Sequence, residues 1–373
     1  MIAVFMLSAL VLIPLGVHLA TSAMTALRYG RSGRPVTPEY RPYVSLIRPV
    51  CGVDTFDRQT LAASFTQDYP DYEVLICAAS EDDPAVALAR DLVAAHPEVP
   101  ARVLVGEDMI SANPKLNNLA KGVRAANGKW MAVTDSNLLL PPDYLSHLVD
   151  CWQGDTGLVS GPPVGIWPGN FWGAVECAFL NTNQARWQLA ADSLGMGFAQ
   201  GKTLFLHRAV LDAAGGLSAL GRNLAEDVAA TKVVRAQGLK VRLPTRLFPQ
   251  PIGERTARSV WARQLRWSRV RRDGFPLIFL AEIAQGPALP LASLAGLVAL
   301  GAWPGWILPV LPAIWYGSEW ALARYAAWPS ALRDVAAMMV RDALLPPLWL
   351  VTFARRGFTW RGTEMAAAPA PAE

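Results

Sequence analysis

From Ile2 to Leu27 the chain runs without a single Asp, Glu, Lys or Arg, and no other feature limits so strongly what it can fold into. A helix of that length crosses the ~30 Å hydrocarbon layer. Within lipid a lone segment must satisfy every backbone N–H and C=O internally, which a helix does. The stretch is longer than the apolar core of a signal peptide and follows no basic segment, so a retained anchor is expected. Arg28, Arg31 and Arg34 come directly after it. Basic residues on that flank place the following domain in the cytoplasm.

A second apolar region extends from Phe275 to Phe353, interrupted by prolines at 287, 290, 304, 309, 312, 346 and 347. Spans are expected near 286–302 and 304–323. A third, near 342–354, has arginines on both flanks and fits an interfacial or re-entrant segment as well as a crossing. The whole chain is 52% apolar over 373 residues, too much for an ordinary soluble enzyme and too little for an all-membrane protein. The expected organisation is an anchor at 1–28, a soluble domain at 29–274, a membrane region at 275–360 and a disordered Ala- and Pro-rich tail at 361–373. The expected location is therefore integral and multi-pass, in a bacterial inner membrane, with the soluble domain facing the cytoplasm. A net charge of +4 says little about nucleic acid. Four cysteines without C-x-x-C spacing and four scattered histidines resemble no zinc or haem site, and reduced thiols are expected.

Between the apolar regions, short apolar runs alternate with helical ones: Val44–Ile47, Val74–Ala78, Arg102–Val105 and Met131–Thr134 read as strands. Such alternation predicts βαβ units and an α/β sheet covered on both faces. The run at 130–134 stops at Asp135, and ligands of open α/β sheets bind beyond the carboxyl ends of the strands. An Asp there equally makes a turn by bonding its own backbone. Asp83 before Pro84 is sufficiently explained as the cap of a helix over 85–96. The stretch from 136 to 218, rich in Gly, Pro and Trp, is expected to be irregular and to shape an acceptor site. Leu224–Arg235 reads as a helix with Glu226 and Asp227 in its first turn, where the helix dipole favours carboxylates without any catalysis. Trp261–Arg272 interleaves arginines with tryptophans. Its place beside the second apolar region favours phosphates of a nucleotide or lipid headgroups over nucleic acid.

These residues, taken in order, resemble a known family. Ser-Leu-Ile-Arg-Pro-Val-Cys-Gly-Val-Asp at 45–54, Asp-Tyr-Pro-Asp-Tyr-Glu-Val-Leu-Ile-Cys at 68–77, Glu-Asp-Asp-Pro-Ala at 81–85 and Asn-Pro-Lys-Leu-Asn-Asn-Leu at 113–119 come first. Asp-Ser-Asn at 135–137, Ala-Glu-Asp at 225–227 and Arg-Gln-Leu-Arg-Trp at 263–267 complete the set. The chain is thus similar to the ceramide glucosyltransferases, inverting lipid glycosyltransferases of GT-A fold. The resemblance implies a mixed or parallel Rossmann-like sheet and transfer of a hexose, glucose first, from a UDP-sugar to ceramide. It implies that Asp82 and Asp83 hold the nucleotide with Lys115 nearby, and that Asp135 holds Mg²⁺ or Mn²⁺ on the diphosphate. It makes Asp227 the general base, with Arg263, Arg266 and Trp267 closing over donor and acceptor. Position 137 is Asn where a stricter Asp-x-Asp has a second carboxylate.

The chemistry is consistent with those roles. A leaving diphosphate needs its charge neutralised, which a hard cation with one or two carboxylates achieves. An attacking lipid hydroxyl must lose a proton, and a positioned carboxylate contributes about 10²- to 10⁴-fold by taking it. Arg263 and Arg266, three apart, share a helical face and can bind phosphates bidentately. Alternatives are a hopanoid or other lipid glycosyltransferase, a processive polysaccharide synthase, which needs more spans, and a membrane scaffold or transporter. A transporter would place ionisable groups inside its spans.

Overall fold

The computed structural model describes residues 1–30, 41–223, 225–355, 357–360 and 363–365. Arg31, Arg34, Leu224 and the tail from 366 lie outside the described residues. The chain forms two compact units. One comprises 32–164, 191–251 and 357–373; the other comprises 1–31, 165–190 and 252–356.

The first unit is built on a seven-stranded sheet. Its strands are β1 Val44–Pro49, β2 Tyr72–Ala78, β3 Ala101–Val105, β4 Trp130–Thr134, β5 Thr156–Ser160, β6 Thr203–His207 and β7 Lys240–Arg242, in the spatial order β3-β2-β1-β4-β6-β5-β7. β1 pairs parallel with β2 and β4, β2 with β3, and β5 with β7. β6 runs antiparallel to both β4 and β5. All seven residues of β2 and the first five of β1 are buried, so both faces of these strands are covered and their apolar residues do not alternate with exposed ones; the polar Ser45, Arg48 and Glu73 are buried with them. Leu46, Val74, Ile76, Ala132, Val159 and Phe205 share one core cluster with Leu88, Tyr144 and Leu145 from the covering helices. Each Leu, Ile, Val or Phe buried in this way contributes about 1.5–3 kcal/mol.

Two helices start on side-chain caps, the first of them the one the sequence predicts. Helix α1, Pro84–Ala95, has Asp83 as its cap, its side chain accepting from the Ala85 N–H, with Pro84 in the first turn. Helix α2, Pro114–Ala125, begins the same way, with Asn113 accepting from the Lys115 N–H. The expectation of irregular chain over 136–218 is overturned: strands at 156–160 and 203–207 and helices at 144–150, 171–178, 186–193 and 208–213 occupy it. Short apolar runs such as Thr-Leu-Phe-Leu-His sit there between breakers, and the breakers mark element ends where they suggested loops.

In the second unit, two helices are long and apolar enough to cross a membrane, Ile2–Gly30 and Leu332–Thr352. Pro276–Ala284 and Ala288–Ala299 together make a third such stretch if their 43° bend belongs to one span. The expected span at 304–323 is instead a helix of 16 residues, Val310–Tyr325, after a short 3₁₀ turn. The expected third span begins ten residues earlier than predicted and carries Pro346 and Pro347 internally. The N-terminal helix buries Val11 against Leu294, Leu297 and Leu311, and in its second half buries four polar residues, His18, Thr21, Ser22 and Thr25. His18 stacks on Trp315 at 3.7 Å, and the Thr25 hydroxyl donates to the Arg186 carbonyl at 3.3 Å. Arg341 donates twice to Glu319, at 2.9 and 2.8 Å, with both side chains 1% exposed. Thr182 donates to the same carboxylate at 2.7 Å from a π-helical turn, Phe179–Ala185.

Candidate active site

β4 ends at Thr134, paired with Thr203 of β6. One step beyond, the Asp135 N–H donates to the Lys202 carbonyl at 3.2 Å. The antiparallel register therefore sets Asp135 and Lys202 side by side, although they are far apart in sequence. The Lys202 ammonium lies 3.0 Å from one Asp135 oxygen and donates to the Asn137 side-chain oxygen at 2.9 Å. Lys115, from the first turn of α2, lies 2.6 Å from the other Asp135 oxygen.

Lys115 is the hub. Its ammonium also meets Glu226 at 2.6 Å and donates to the Gly201 carbonyl at 2.7 Å. The second Glu226 oxygen accepts from the Asn113 amide at 3.0 Å. Glu226 and Asp227 open helix α3, Glu226–Ala236, as the sequence predicts. Asp227 accepts from the Gly201 N–H at 3.0 Å and from the Val228 N–H at 2.8 Å. Gly201 thus touches the lysine through its carbonyl and the aspartate through its amide. A Cβ at this position would lie 2.7 Å from a Glu226 oxygen, so any larger residue here would have to displace the Glu226 carboxylate from its bonds to Lys115 and Asn113.

The electrostatics follow from that packing. Burial opposes ionisation of Asp135, yet Lys115 and Lys202 together hold its carboxyl well below the usual carboxylate range. Burial likewise opposes charge on Lys115, and Asp135 and Glu226 outweigh it, raising that ammonium above its ordinary value. Asp227 moves the other way. Burial and the neighbouring Glu226 charge push its carboxyl up to about 6, against the two N–H donors and Lys115. Two nearby carboxylates thus have opposed proton affinities, the pattern that marks acid–base sites.

Arg48, fully buried on β1, donates through one nitrogen to the carbonyls of Thr60, Ser136 and Leu138, at 3.1, 2.9 and 3.1 Å. It pins the turn that carries Asp135 and Asn137. Burial pushes this guanidinium down to about 10.

Of the predicted residues, Lys115, Asp135 and Asp227 belong to one hydrogen-bonded cluster. Asp83 caps α1 and accepts from the Gly52 N–H at 2.9 and 3.0 Å through its two oxygens, fixing a left-handed glycine at φ +68°. Asp82 is exposed. Arg263, Arg266 and Trp267 lie in the other unit, on helix α4, Ala257–Gly274, which begins with a Thr256 capping box. Arg263 pairs with Glu176 at 3.0 Å. Trp267 packs on Cys177, Leu180 and Ile252. Sequence reasoning missed Glu176, Lys202 and Arg48. A lone acid within Phe-Trp-Gly-Ala-Val-Glu-Cys-Ala was the available signal for Glu176, because a buried acid demands a cation.

No three Asp, Glu, His or Cys side chains converge as a metal site among the described residues. Asp135 offers one carboxylate. Each of its oxygens already faces an ammonium, Lys115 or Lys202, so a hard cation held by Asp135 would share the carboxylate with these lysines and draw its remaining ligands from phosphate oxygens and water.

The family model for glycosyl transferase family 21 matches residues 6–372. The chain belongs to glycosyl transferase family 21. Within curated proteins, this family 21 chain is 29% identical over 246 residues to ceramide glucosyltransferase 1 of Caenorhabditis elegans, covering 65% of the chain and 53% of the relative. It is 40% identical over 124 residues to the ceramide glucosyltransferase of Komagataella phaffii, covering 32% of the chain and 24% of the relative. The chain spans about half the length of the first of these relatives and less of the second. A mannosyltransferase from Pyrobaculum calidifontis, solved with GDP-Man and Mn²⁺, covers 90% of the family 21 chain and 99% of its own at TM-score 0.53 and 19% identity. That similarity establishes the GT-A fold.

Proposed function

We propose that the chain transfers a glucosyl group from UDP-glucose to a hydroxyl of ceramide, with inversion, from a catalytic unit facing the cytoplasm. One observation carries the reading: Asp227, a carboxyl with raised proton affinity, is joined through Gly201 and Lys115 to Asp135 at a strand end. The names of the relatives support the lipid acceptor, and Arg28 at the end of the N-terminal helix supports the orientation.

In this reading Asp227 accepts the proton of the attacking hydroxyl, which its proton affinity near neutral pH suits. Lys115 holds Asp135 and the first turn of α3 in one arrangement, so base and donor site keep their spacing. Lys115 also places positive charge where the diphosphate departs. Asp135 is the residue that would hold Mg²⁺ or Mn²⁺, and such a cation supplies charge neutralisation of the leaving group. Asp82 and Asp83 are assigned to the nucleotide, and Arg263, Arg266 and Trp267 to closing over donor and acceptor. Direct displacement inverts the anomeric carbon.

The test is to incubate the purified protein in detergent with labelled UDP-sugars, GDP-Man, ceramide and a hopanoid, and to identify products by mass. Glucosylceramide is the expected product. Asp227→Asn should lower kcat by about 10²-fold or more while nucleotide binding persists. Full transfer by that variant would remove the base, and no glycolipid from any donor would remove the function.

A further inference from the structure

We propose that Lys202 is a diphosphate ligand of the donor site, a fixed cation supplying part of the charge that a divalent ion otherwise brings. The inference rests on the transferase reading above and adds a residue to it.

The placement is built into the sheet. Antiparallel pairing of β4 and β6 puts Lys202 beside Asp135, and the backbone bond from Asp135 N–H to Lys202 O sets their relative height. At position 137, where a second carboxylate would strengthen a cation site, the chain has a neutral Asn. That amide oxygen accepts from the Lys202 ammonium at 2.9 Å. Asn137 therefore orients a positive side chain at the position where an Asp would help bind a metal. Lys115 is shared between Asp135 and Glu226. Lys202 brings a second positive charge to the same strand end, with its side chain 12% exposed, beside Asp135 at 25%. An ammonium at a strand end binds phosphate as a point charge. Asp135, Asn137 and Arg48, which pins their turn, hold this cation before the donor arrives.

The experiment titrates UDP and GDP into full-length protein in nanodiscs by calorimetry, with Mg²⁺ and with chelator, for the wild type, Lys202→Met and Asn137→Asp. The wild type should bind UDP in chelator within about tenfold of its affinity in Mg²⁺. Lys202→Met should lose about 10- to 100-fold in chelator, the worth of a hydrogen bond to a charged group, and much less in Mg²⁺. Asn137→Asp should increase the dependence on Mg²⁺. Wild-type binding that vanishes in chelator, or a Lys202→Met variant with unchanged affinity in chelator, overturns the inference while leaving the transferase reading in place. No nucleotide binding in either condition overturns both. Transfer assays are not needed for any of these outcomes.

Discussion

Replacing Lys115 with Met tests whether the candidate site is one electrostatic unit. The substitution keeps most of the aliphatic volume and removes three contacts, two ion pairs of 2.6 Å and a hydrogen bond of 2.7 Å. Asp135 would keep Lys202, but Glu226, 8% exposed, would keep only its bond from Asn113 among those described here. Breaking a buried pair from one side costs about 3–5 kcal/mol, because the abandoned charge stays desolvated. The side chain of Lys115 is 9% exposed and those of its partners 10% and 25%, so the lower end, about 3 kcal/mol, is expected after screening. The pH dependence gives a second readout. In the wild type the folded Asp135 has a depressed pKa, so its contribution is present above the unfolded carboxylate pKa of about 4 and fades as pH falls below that. The deficit of Lys115→Met should therefore be full at pH 7 and shrink below about pH 4. Chemical denaturation of wild type and variant at both pH values measures it. A deficit under about 1 kcal/mol at pH 7, or one that does not change with pH, would refute the idea that Lys115 holds the two acids together.

Other outcomes follow from the same geometry. The transfer rate should rise with pH through about 6, as Asp227 becomes ionised, and Glu226→Gln should move that limb to lower pH by removing a neighbouring negative charge; a pH–rate profile decides it. Gly201→Ala sets a methyl 2.7 Å from the Glu226 carboxylate, and should lower stability by about 1–3 kcal/mol, read by thermal unfolding. Arg341→Leu should destabilise the unit of apolar helices by about 3–5 kcal/mol, and adding Glu319→Leu should recover part of it, measured by a double-mutant cycle.

The sequence was informative where a local rule decides. Asp83 before Pro84 marks a helix start by cap and first-turn preference, and a run such as Val-Leu-Ile-Cys-Ala is a strand because both of its faces are covered. Asp135, Lys115 and Asp227 stood out through ordered motifs, and the fold unites them. Residue pairing between distant segments was not legible. Lys202 precedes an ordinary Thr-Leu-Phe-Leu-His run, and nothing local states that this strand returns antiparallel beside β4. Arg48 looked like a motif letter, because its three carbonyl partners come from a helix at Thr60 and from the turn at 136–138. The apolar helices at 288–299 and 310–325 were misjudged in extent for a simpler reason: prolines near their starts cut one hydropathy signal into shorter pieces.

The polar face of the N-terminal helix sets a limit on how this protein can be re-engineered. A segment that served purely as a tether could be exchanged for any oily stretch of equal length. Here His18, Thr21 and Thr25 are buried and contact Trp315, Ser318 and Arg186. A polyleucine replacement would stay bound to lipid and still strip the bundle of the partners that organise its interior. Deleting or swapping the first thirty residues is thus expected to yield a misassembled protein, not a soluble enzyme released from its mooring.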